Sequence, residues 1–217
     1  MDNILELLGG PLLETLYMVF ASSFFALIVG LPLGIILYIT GNPQLMPNKY
    51  INQTLGGIVN IFRSFPFIVL MILLLPLSRI VIGTSIGTSA SILPLSIAAA
   101  PFIARVVENA LLEIDCGIIE AARSMGSSLF QIILKVLLPE SLPSLVNGMI
   151  LTIINLIGYS AMAGAIGGGG LGDLAIRYGY YRFQTDTMLA AIIVIIILVQ
   201  SIQFFGNRLV SKLMLYR

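Results

Sequence analysis

The sequence has 217 residues, of which 58% are hydrophobic and only 10% charged, and its mean hydropathy is +1.04. This composition excludes an ordinary soluble domain and predicts an all-α, polytopic membrane protein. The net charge is only +1, so we expect no nucleic-acid partner. A single cysteine cannot form an intrachain disulfide, and without any Gly-Lys pair the chain has no P-loop that could bind ATP.

Five stretches are long and apolar enough to predict membrane-spanning helices, since about 20 apolar residues cross a bilayer. They cover residues 15–40, 55–77, 92–112, 142–166 and 187–206. Gly30, Pro32 and Gly34 in the first stretch predict a kink or close helix packing rather than a break. The segment before residue 15 is acidic and has no Lys or Arg, so we expect no cleavable signal peptide. We expect a single domain over residues 1–217, with its core at about 12–206.

Arg63 lies in the first half of the second stretch, where a charge at mid-membrane costs roughly 2.5 kcal/mol or more. Two interpretations are open. The side chain can snorkel to the nearer membrane face, or it lines a water-filled path or pairs with a carboxylate such as Glu108. At the end of the third stretch, Arg105 and Glu108 are themselves spaced to pair on one helix face.

The segment after the third stretch alternates charged and apolar residues, which predicts two short helices joined by a sharp turn. Gly117 is the expected N-cap of the first helix. Gly126 is expected to end it, because glycine takes the left-handed conformation at low cost. Ser128 and Gln131 have the spacing of a capping box, which predicts that a second helix starts there. Pro139 is expected to end this second helix.

One face of the fourth stretch carries polar side chains. Thr152, Asn155, Tyr159 and Met162 follow one another at spacings of three, four and three residues, and small residues such as Ser160 surround them. Polar side chains inside a membrane helix face the bundle or a cavity. The stripe therefore predicts either hydrogen bonds between helices or the lining of a translocation path, to which Arg63 also belongs in our prediction.

Aromatic and basic residues precede the last stretch. They are Arg177, Tyr178, Tyr180, Tyr181, Arg182 and Phe183. This pattern is typical of an aromatic belt at the membrane interface. It also fits a docking surface for an external protein, and the first interpretation does not exclude the second.

Basic residues in the loops predict the orientation of the chain, because they accumulate on the cytoplasmic side. With the N-terminus outside, the inner side holds Lys49, Arg105, Arg123, Lys135, Arg208, Lys212 and Arg217, with Arg63 near it. The outer side then holds Arg79, Arg177 and Arg182. We therefore predict an outer N-terminus, a cytoplasmic C-terminus and a cytoplasmic helix-turn-helix segment.

That segment resembles the EAA signature of bacterial ABC-importer permeases. Glu120-Ala121-Ala122 is followed by Gly126, the aliphatic Val136 and Leu138-Pro139 at the spacing of the signature. The resemblance implies a coupling helix that docks in a cleft of a separate ATPase subunit; the alternative is an ordinary amphipathic connector. The residues expected to take part in coupling are Glu120, Ala121, Ala122, Ser124, Gly126, Ser127, Leu138 and Pro139.

Longer stretches are similar to the methionine-uptake permeases of that superfamily, among them FRSFPFIVL, APFIARVVENALLEI and GYSAMAGAIGGGGLG. The similarity implies a type I importer fold in the bacterial inner membrane, with five transmembrane helices and a cytoplasmic coupling helix. It implies a homodimer, two ATPase subunits that bind ATP and Mg²⁺, and an external substrate-binding protein or lipoprotein. It also implies transport of L- and D-methionine and a closed gate at Met162.

Other functions remain open at this point. A permease for another amino acid or a small osmolyte shares the EAA signature. A secondary transporter would need Asp or Glu at mid-span, and the predicted spans have none there. A membrane-embedded enzyme would need a catalytic dyad or a metal cluster, which a chain without histidine and with carboxylates only at span edges does not favour. We expect no catalytic residue, no metal and no cofactor in this chain.

Overall fold

The computed structural model describes residues 2–215, with side chains from residue 7 onward, so Arg217 lies outside the described part. Nine α-helices and two π-helical segments are found within these residues. The α-helices are α1 Asp2–Gly41, α2 Lys49–Ser64, α3 Phe67–Ile82, α4 Thr88–Leu112, α5 Cys116–Ser124, α6 Leu129–Ile132, α7 Leu138–Ala165, α8 Gly170–Leu174 and α9 Thr185–Leu215. The π-helical segments Ile133–Leu137 and Ala175–Tyr180 follow α6 and α8.

Helix α4 lies at the centre of the bundle, with α1, α2, α3 and α7 packed around it. Its closest neighbour is α1, on which Gly30 and Gly34 face α4. A Cβ atom added at Gly30 would lie 2.7 Å from the carbonyl oxygen of Ala100, and one at Gly34 would lie 2.5 Å from that of Ala104. The predicted close packing is confirmed. Two membrane helices pack this closely only where small residues let their backbones meet.

The predicted second span is not one continuous helix. Helices α2 and α3 have 16 residues each, and the chain bends by 103° between them. The break lies at Phe65, whose backbone is extended (φ −68°, ψ 129°), directly before Pro66. Proline disfavours the helical conformation of the residue before it and has no N–H to donate. The prediction of an unbroken helix over residues 55–77 is therefore wrong at this point.

The bent pair still runs from one end of the bundle to the other. At its start, Asn52 Nδ2 donates to the carbonyl of Leu37 near the end of α1, at 2.8 Å. Just beyond its end, the Gly87 N–H donates to the carbonyl of Gly167 after α7, at 2.9 Å. The described residues thus contain four continuous helices able to cross a membrane, and the bent pair supplies the fifth crossing.

The predicted pairing on α4 is confirmed, and it also joins α4 to α2. Arg105 Nη1 lies 2.5 Å from Glu108 Oε2. Its Nη2 donates to the Gly56 carbonyl at 3.1 Å and to Asn60 Oδ1 at 3.0 Å. Through these bonds to one carboxylate and to two oxygens of a neighbouring helix, the two terminal nitrogens of Arg105 hold the two helices in register.

Pro139 does not end its helix. Helix α6, the π-helical segment Ile133–Leu137 and α7 form one continuous helix of 37 residues, Leu129–Ala165. A proline inside an α-helix lacks one N–H and its ring clashes with the carbonyl four residues earlier. The wider π-helical segment ends two residues before Pro139, within the turn where the proline would otherwise break the α-helical bonding. The predicted end of the helix at Pro139 is therefore wrong.

Candidate functional site

The turn between α5 and α6 is held by its own backbone. Gly126 has φ +78°, in the left-handed region, and its N–H donates to the carbonyl of Arg123 at 2.9 Å. The predicted end of the first helix at Gly126 is confirmed. Its predicted start is wrong, because the N-cap is Asp115, whose carboxylate accepts from the Gly117 N–H at 2.6 Å. Aspartate is the better cap since its side-chain oxygen satisfies a free N–H.

The second half of the turn follows the prediction. Ser128 N–H donates to Gln131 Oε1 at 2.8 Å, and Gln131 N–H donates to Ser128 Oγ at 3.4 Å. This reciprocal capping box fixes the start of α6. Arg123 also donates to the carbonyl of Gln44 in the loop between α1 and α2. Hydrogen bonds therefore hold both ends of the turn. The segment made of α5, this turn and α6 is called the α5–α6 corner below.

The outer surface of this corner is open and partly apolar. Ile119 and Ala122 form the buried side of α5, whereas Met125 is 79% exposed and Phe130 is 69% exposed. Among the residues predicted to take part in coupling, Ala122 is buried, Ser127 and Leu138 are partly buried, and Glu120, Ala121, Ser124, Gly126 and Pro139 are exposed. Sequence reasoning did not single out Met125 and Phe130 as exposed. Their position beside the glycine turn is the signal that could have found them.

The residues of the predicted stripe on α7 differ in exposure. Thr152 and Ser160 are buried and bond within their own helix: Thr152 Oγ1 donates to the Gly148 carbonyl and Ser160 Oγ to that of Ile157, both at 2.8 Å. Asn155 and Met162 are exposed. Tyr159 is partly buried, with its ring stacked on Phe67 of α3 at 4.5 Å and an interplanar angle of 5°. The open face of α7 is therefore formed by Asn155, Gly158, Tyr159 and Met162, of which Gly158 is also exposed.

Arg63 is exposed and lies close to the break between α2 and α3. Within the described residues, Glu108 pairs with Arg105, so the predicted alternative of an Arg63–Glu108 pair is not realised. Arg63 and Tyr159 line the same cleft, of about 140 Å³. Two residues from the predicted path, far apart in the sequence, are thus brought together.

At the opposite end of the bundle from the α5–α6 corner, α1 is attached to the glycine-rich loop. Glu14 Oε2 accepts from the Gly170 N–H at 2.7 Å, and Thr15 Oγ1 accepts from the Leu171 N–H at 2.9 Å. These are free N–H groups at the start of α8, where negative charge is favoured. No local sequence pattern indicates this contact, since the two partners are 156 residues apart.

The aromatic segment before α9 lies at the same end. Tyr180 and Tyr181 are 70% and 68% exposed, and the Arg182 guanidinium lies 4.7 Å from the centroid of the Tyr178 ring. Arg177 Nη2 pairs with Asp173 at 2.6 Å. An exposed aromatic surface with cationic groups fits both predicted roles, and each stays a prediction.

The sequence matches a family of transport proteins and several of its members. Residues 30–214 match the family described as binding-protein-dependent transport system inner membrane component. The chain is 51% identical over 210 residues to the probable D-methionine transport system permease protein MetI of Pasteurella multocida, covering 97% of each. It is 56% identical over 151 residues to the D-methionine transport system permease protein MetI of Escherichia coli K12, covering 70% of each.

Solved structures of ABC transporters also match this chain. One chain from inward-facing conformations of the MetNI methionine ABC transporter has 49% identity and a TM-score of 0.96, with 98% of this chain and 99% of that chain covered. A chain from an amino acid ABC transporter crystallised with histidines has 18% identity and a TM-score of 0.80 over 98% of this chain and 96% of its own. The second likeness concerns the fold alone.

Proposed function

The chain belongs to the family of binding-protein-dependent transport system inner membrane components, and we infer that it is the membrane-spanning permease subunit of an ATP-driven methionine importer. The observation that carries this inference is the match, in both sequence and fold and over nearly the whole chain, to permeases of methionine transport. The transported substrates are L-methionine and D-methionine.

The importer contains two copies of this chain, two ATPase subunits and an external binding protein or lipoprotein in our proposal. Support for a second copy comes from the uncovered surface of the bundle. Only 6% of the most apolar window of α9 is buried, and Asn155 and Met162 on α7 are exposed. Surface of this kind in a membrane protein is covered by lipid or by another subunit.

The ATPase subunits bind ATP and Mg²⁺ in this proposal, and the α5–α6 corner docks on them. The exposed Met125 and Phe130 supply apolar contacts, and the exposed Glu120 supplies a charge for a basic partner. The braced turn at Gly126 makes the corner a rigid projection, which transmits a push better than a flexible loop does.

Basic side chains support an orientation with the corner in the cytoplasm. Lys49, Arg105 and Lys135 lie towards the end of the bundle that carries the corner, whereas Arg79, Arg177 and Arg182 lie towards the end that carries Gly167. We therefore propose that the N-terminus is outside and the C-terminus inside, and that the aromatic segment before α9 faces the external binding protein.

The mechanism follows from the continuous helix Leu129–Ala165. One end of this helix starts at the docking corner and the other carries Met162. When ATP closes the ATPase pair, the corner moves with it and the helix transmits the motion to the open face of α7. Met162 and its counterpart in the second copy part, and the path switches from inward-open to outward-open. The chain itself breaks no bond.

Reconstituted uptake tests this function. The chain is co-purified with its ATPase, placed in liposomes and supplied with the binding protein and radiolabelled amino acids. We expect ATP-dependent accumulation of L- and D-methionine above that of leucine or glutamine. Accumulation of a different amino acid, with none of methionine, would contradict the proposal.

A further inference from the structure

The cleft below the bend between α2 and α3 combines one cation with a ring of aromatic side chains. Its volume is about 140 Å³, and Arg63, Phe62, Phe65, Phe67, Phe102 and Tyr159 line it. They come from α2, α3, α4, α7 and the extended residue between α2 and α3. Arg63 at the end of α2 and Phe67 at the start of α3 lie on either side of the break at Pro66, and both line this space.

The charge in this cleft is uncompensated. Within the described residues Arg63 has neither a hydrogen bond nor an ion pair, and the residues that line the cleft include no carboxylate. Glu108, the carboxylate considered as its partner, is held by Arg105. A guanidinium presents five donors in a planar fork that fits a carboxylate. The cleft therefore favours a ligand with a carboxylate.

The aromatic rings define the rest of the ligand. The stacked pair Phe67 and Tyr159 forms one rigid wall. Phe62 and Phe65, 37% and 41% exposed, form a second wall, with ring centroids 6.5 Å apart. A thioether sulfur contacts ring edges favourably at about 5 Å, and an ammonium group is attracted to ring faces within about 6 Å. An amino acid with a thioether side chain satisfies all three features.

The size and position of the cleft fit a transported solute. Sites for drug-sized ligands measure about 300–1,000 Å³ and are larger than this cleft. An engineered cavity of about 150 Å³ holds one benzene molecule, so a cleft of similar volume suits one amino acid. Met162 lies one turn beyond Tyr159, towards the end of α7. A solute in the cleft is thus on the inner side of the gate proposed above.

We propose that this cleft is a transient binding site for free methionine on its way to the cytoplasm, with Arg63 bound to the α-carboxylate and the aromatic rings in contact with the thioether. The proposal rests on the proposed function. A path must bind its solute weakly enough to release it. A single arginine in an open cleft meets this condition, whereas an enclosed site with several ion pairs does not.

Photolabelling tests the site without the binding protein. The permease–ATPase complex in nanodiscs is irradiated with photo-methionine, a diazirine analogue, and the label is mapped by mass spectrometry. We expect label on residues 62–67 or 159. L-Methionine should prevent it at a concentration about tenfold or more below that of L-methioninol, which has a hydroxymethyl group in place of the carboxylate.

Variants assign the effect to the charge. R63Q should reduce labelling about tenfold or more, and R63K should keep part of it because the charge remains without the fork. Arg79→Gln, at the outer end of the same bent pair, is the matched control and should label as wild type. Gel filtration with the ATPase checks assembly, and if R63Q does not assemble, the methioninol competition in the wild-type complex decides.

The outcomes separate this inference from the function on which it rests. Equal labelling of R63Q and wild type, or equal competition by methioninol and methionine, would overturn the cleft site while wild-type uptake of methionine stays intact. No methionine uptake by the wild-type importer would overturn both. Label lost in R63Q and kept in Arg79→Gln supports the site.

Discussion

The seam between α1 and α4 and the open face of α7 both use glycine, but in opposite surroundings. A Cβ atom at Gly30 or Gly34 on the seam would come within 3 Å of α4, whereas one at Gly158 on α7 would meet nothing within 4 Å. The seam glycines are explained by packing inside one subunit. Gly158 has no such explanation within the described residues, so its small size points to a neighbour outside the chain.

The largest effect is expected from closing the seam. Gly34→Leu places a side chain where the Ala104 carbonyl lies 2.5 Å from the new Cβ, so α1 and α4 must move apart. Overpacking of this kind costs about 1–3 kcal/mol or more, and we expect most of the folded protein to be lost. Gel filtration of a fluorescent fusion measures it. The control is Gly57→Leu on the exposed side of α2, where nothing lies within 4 Å. A monodisperse Gly34→Leu protein at wild-type yield would refute the close seam.

A smaller effect is expected at the corner between α5 and α6. Gly126→Val puts a branched side chain at φ +78°, which costs about 1–2 kcal/mol. We expect membrane insertion to persist while co-purification of the ATPase and ATP-driven uptake fall several-fold. Asn tolerates the left-handed conformation, so Gly126→Asn should be milder.

Glu120→Lys tests the same surface without changing the backbone, and we expect it to weaken ATPase association. If Gly126→Val and Glu120→Lys both transport at the wild-type rate, the docking role of the corner is wrong.

A substitution on the open face of α7 should affect assembly rather than folding. We expect Gly158→Leu to leave the yield and the melting temperature of the chain close to wild type, because the side chain has room within the subunit. Assembly into dimers, measured by mass photometry, or uptake should drop about threefold or more if the second copy packs there, since membrane helices meet through small residues. An unchanged assembly and uptake would place the partner elsewhere.

Sequence patterns predicted the features that depend on neighbouring residues. The turn at Gly126, the capping box of Ser128 and Gln131 and the pair of Arg105 and Glu108 each rest on residues three or four positions apart or on one backbone conformation. The apolar stretches gave four of the crossings directly, because length and hydropathy decide them.

Tertiary contacts decide what the sequence left open. The pattern at Phe65-Pro66 permits both a kink and a sharp break, and the packing of Phe67 on Tyr159 accompanies the break. Pro139 is tolerated in a helix by a π-helical turn that no local pattern indicates. Thr152 and Met162 lie on neighbouring parts of one helix surface, and only the position of the other helices shows that the first is buried and the second exposed.

The central claim is that the open face of α7 borders the path between two copies of the chain, with Met162 at the closed gate. A thioether suits a gate because it excludes water and repacks when helices part. The alternative is that Met162 only fills a gap in lipid or in packing. If this alternative holds, the Met162→Ala transporter should not leak substrate or ions. If Met162 is the gate, its truncation should let substrate or ions pass without coupling to ATP.

Cross-linking between copies measures the claim most directly. Met162→Cys is made in a Cys116→Ser background, because Cys116 is exposed and would also react. The account predicts a disulfide between the two copies in the ATP-free complex, and several-fold less of it when ATP is trapped. Absence of the cross-link in every state, together with a tight Met162→Ala variant, would contradict the account and move the gate away from this residue.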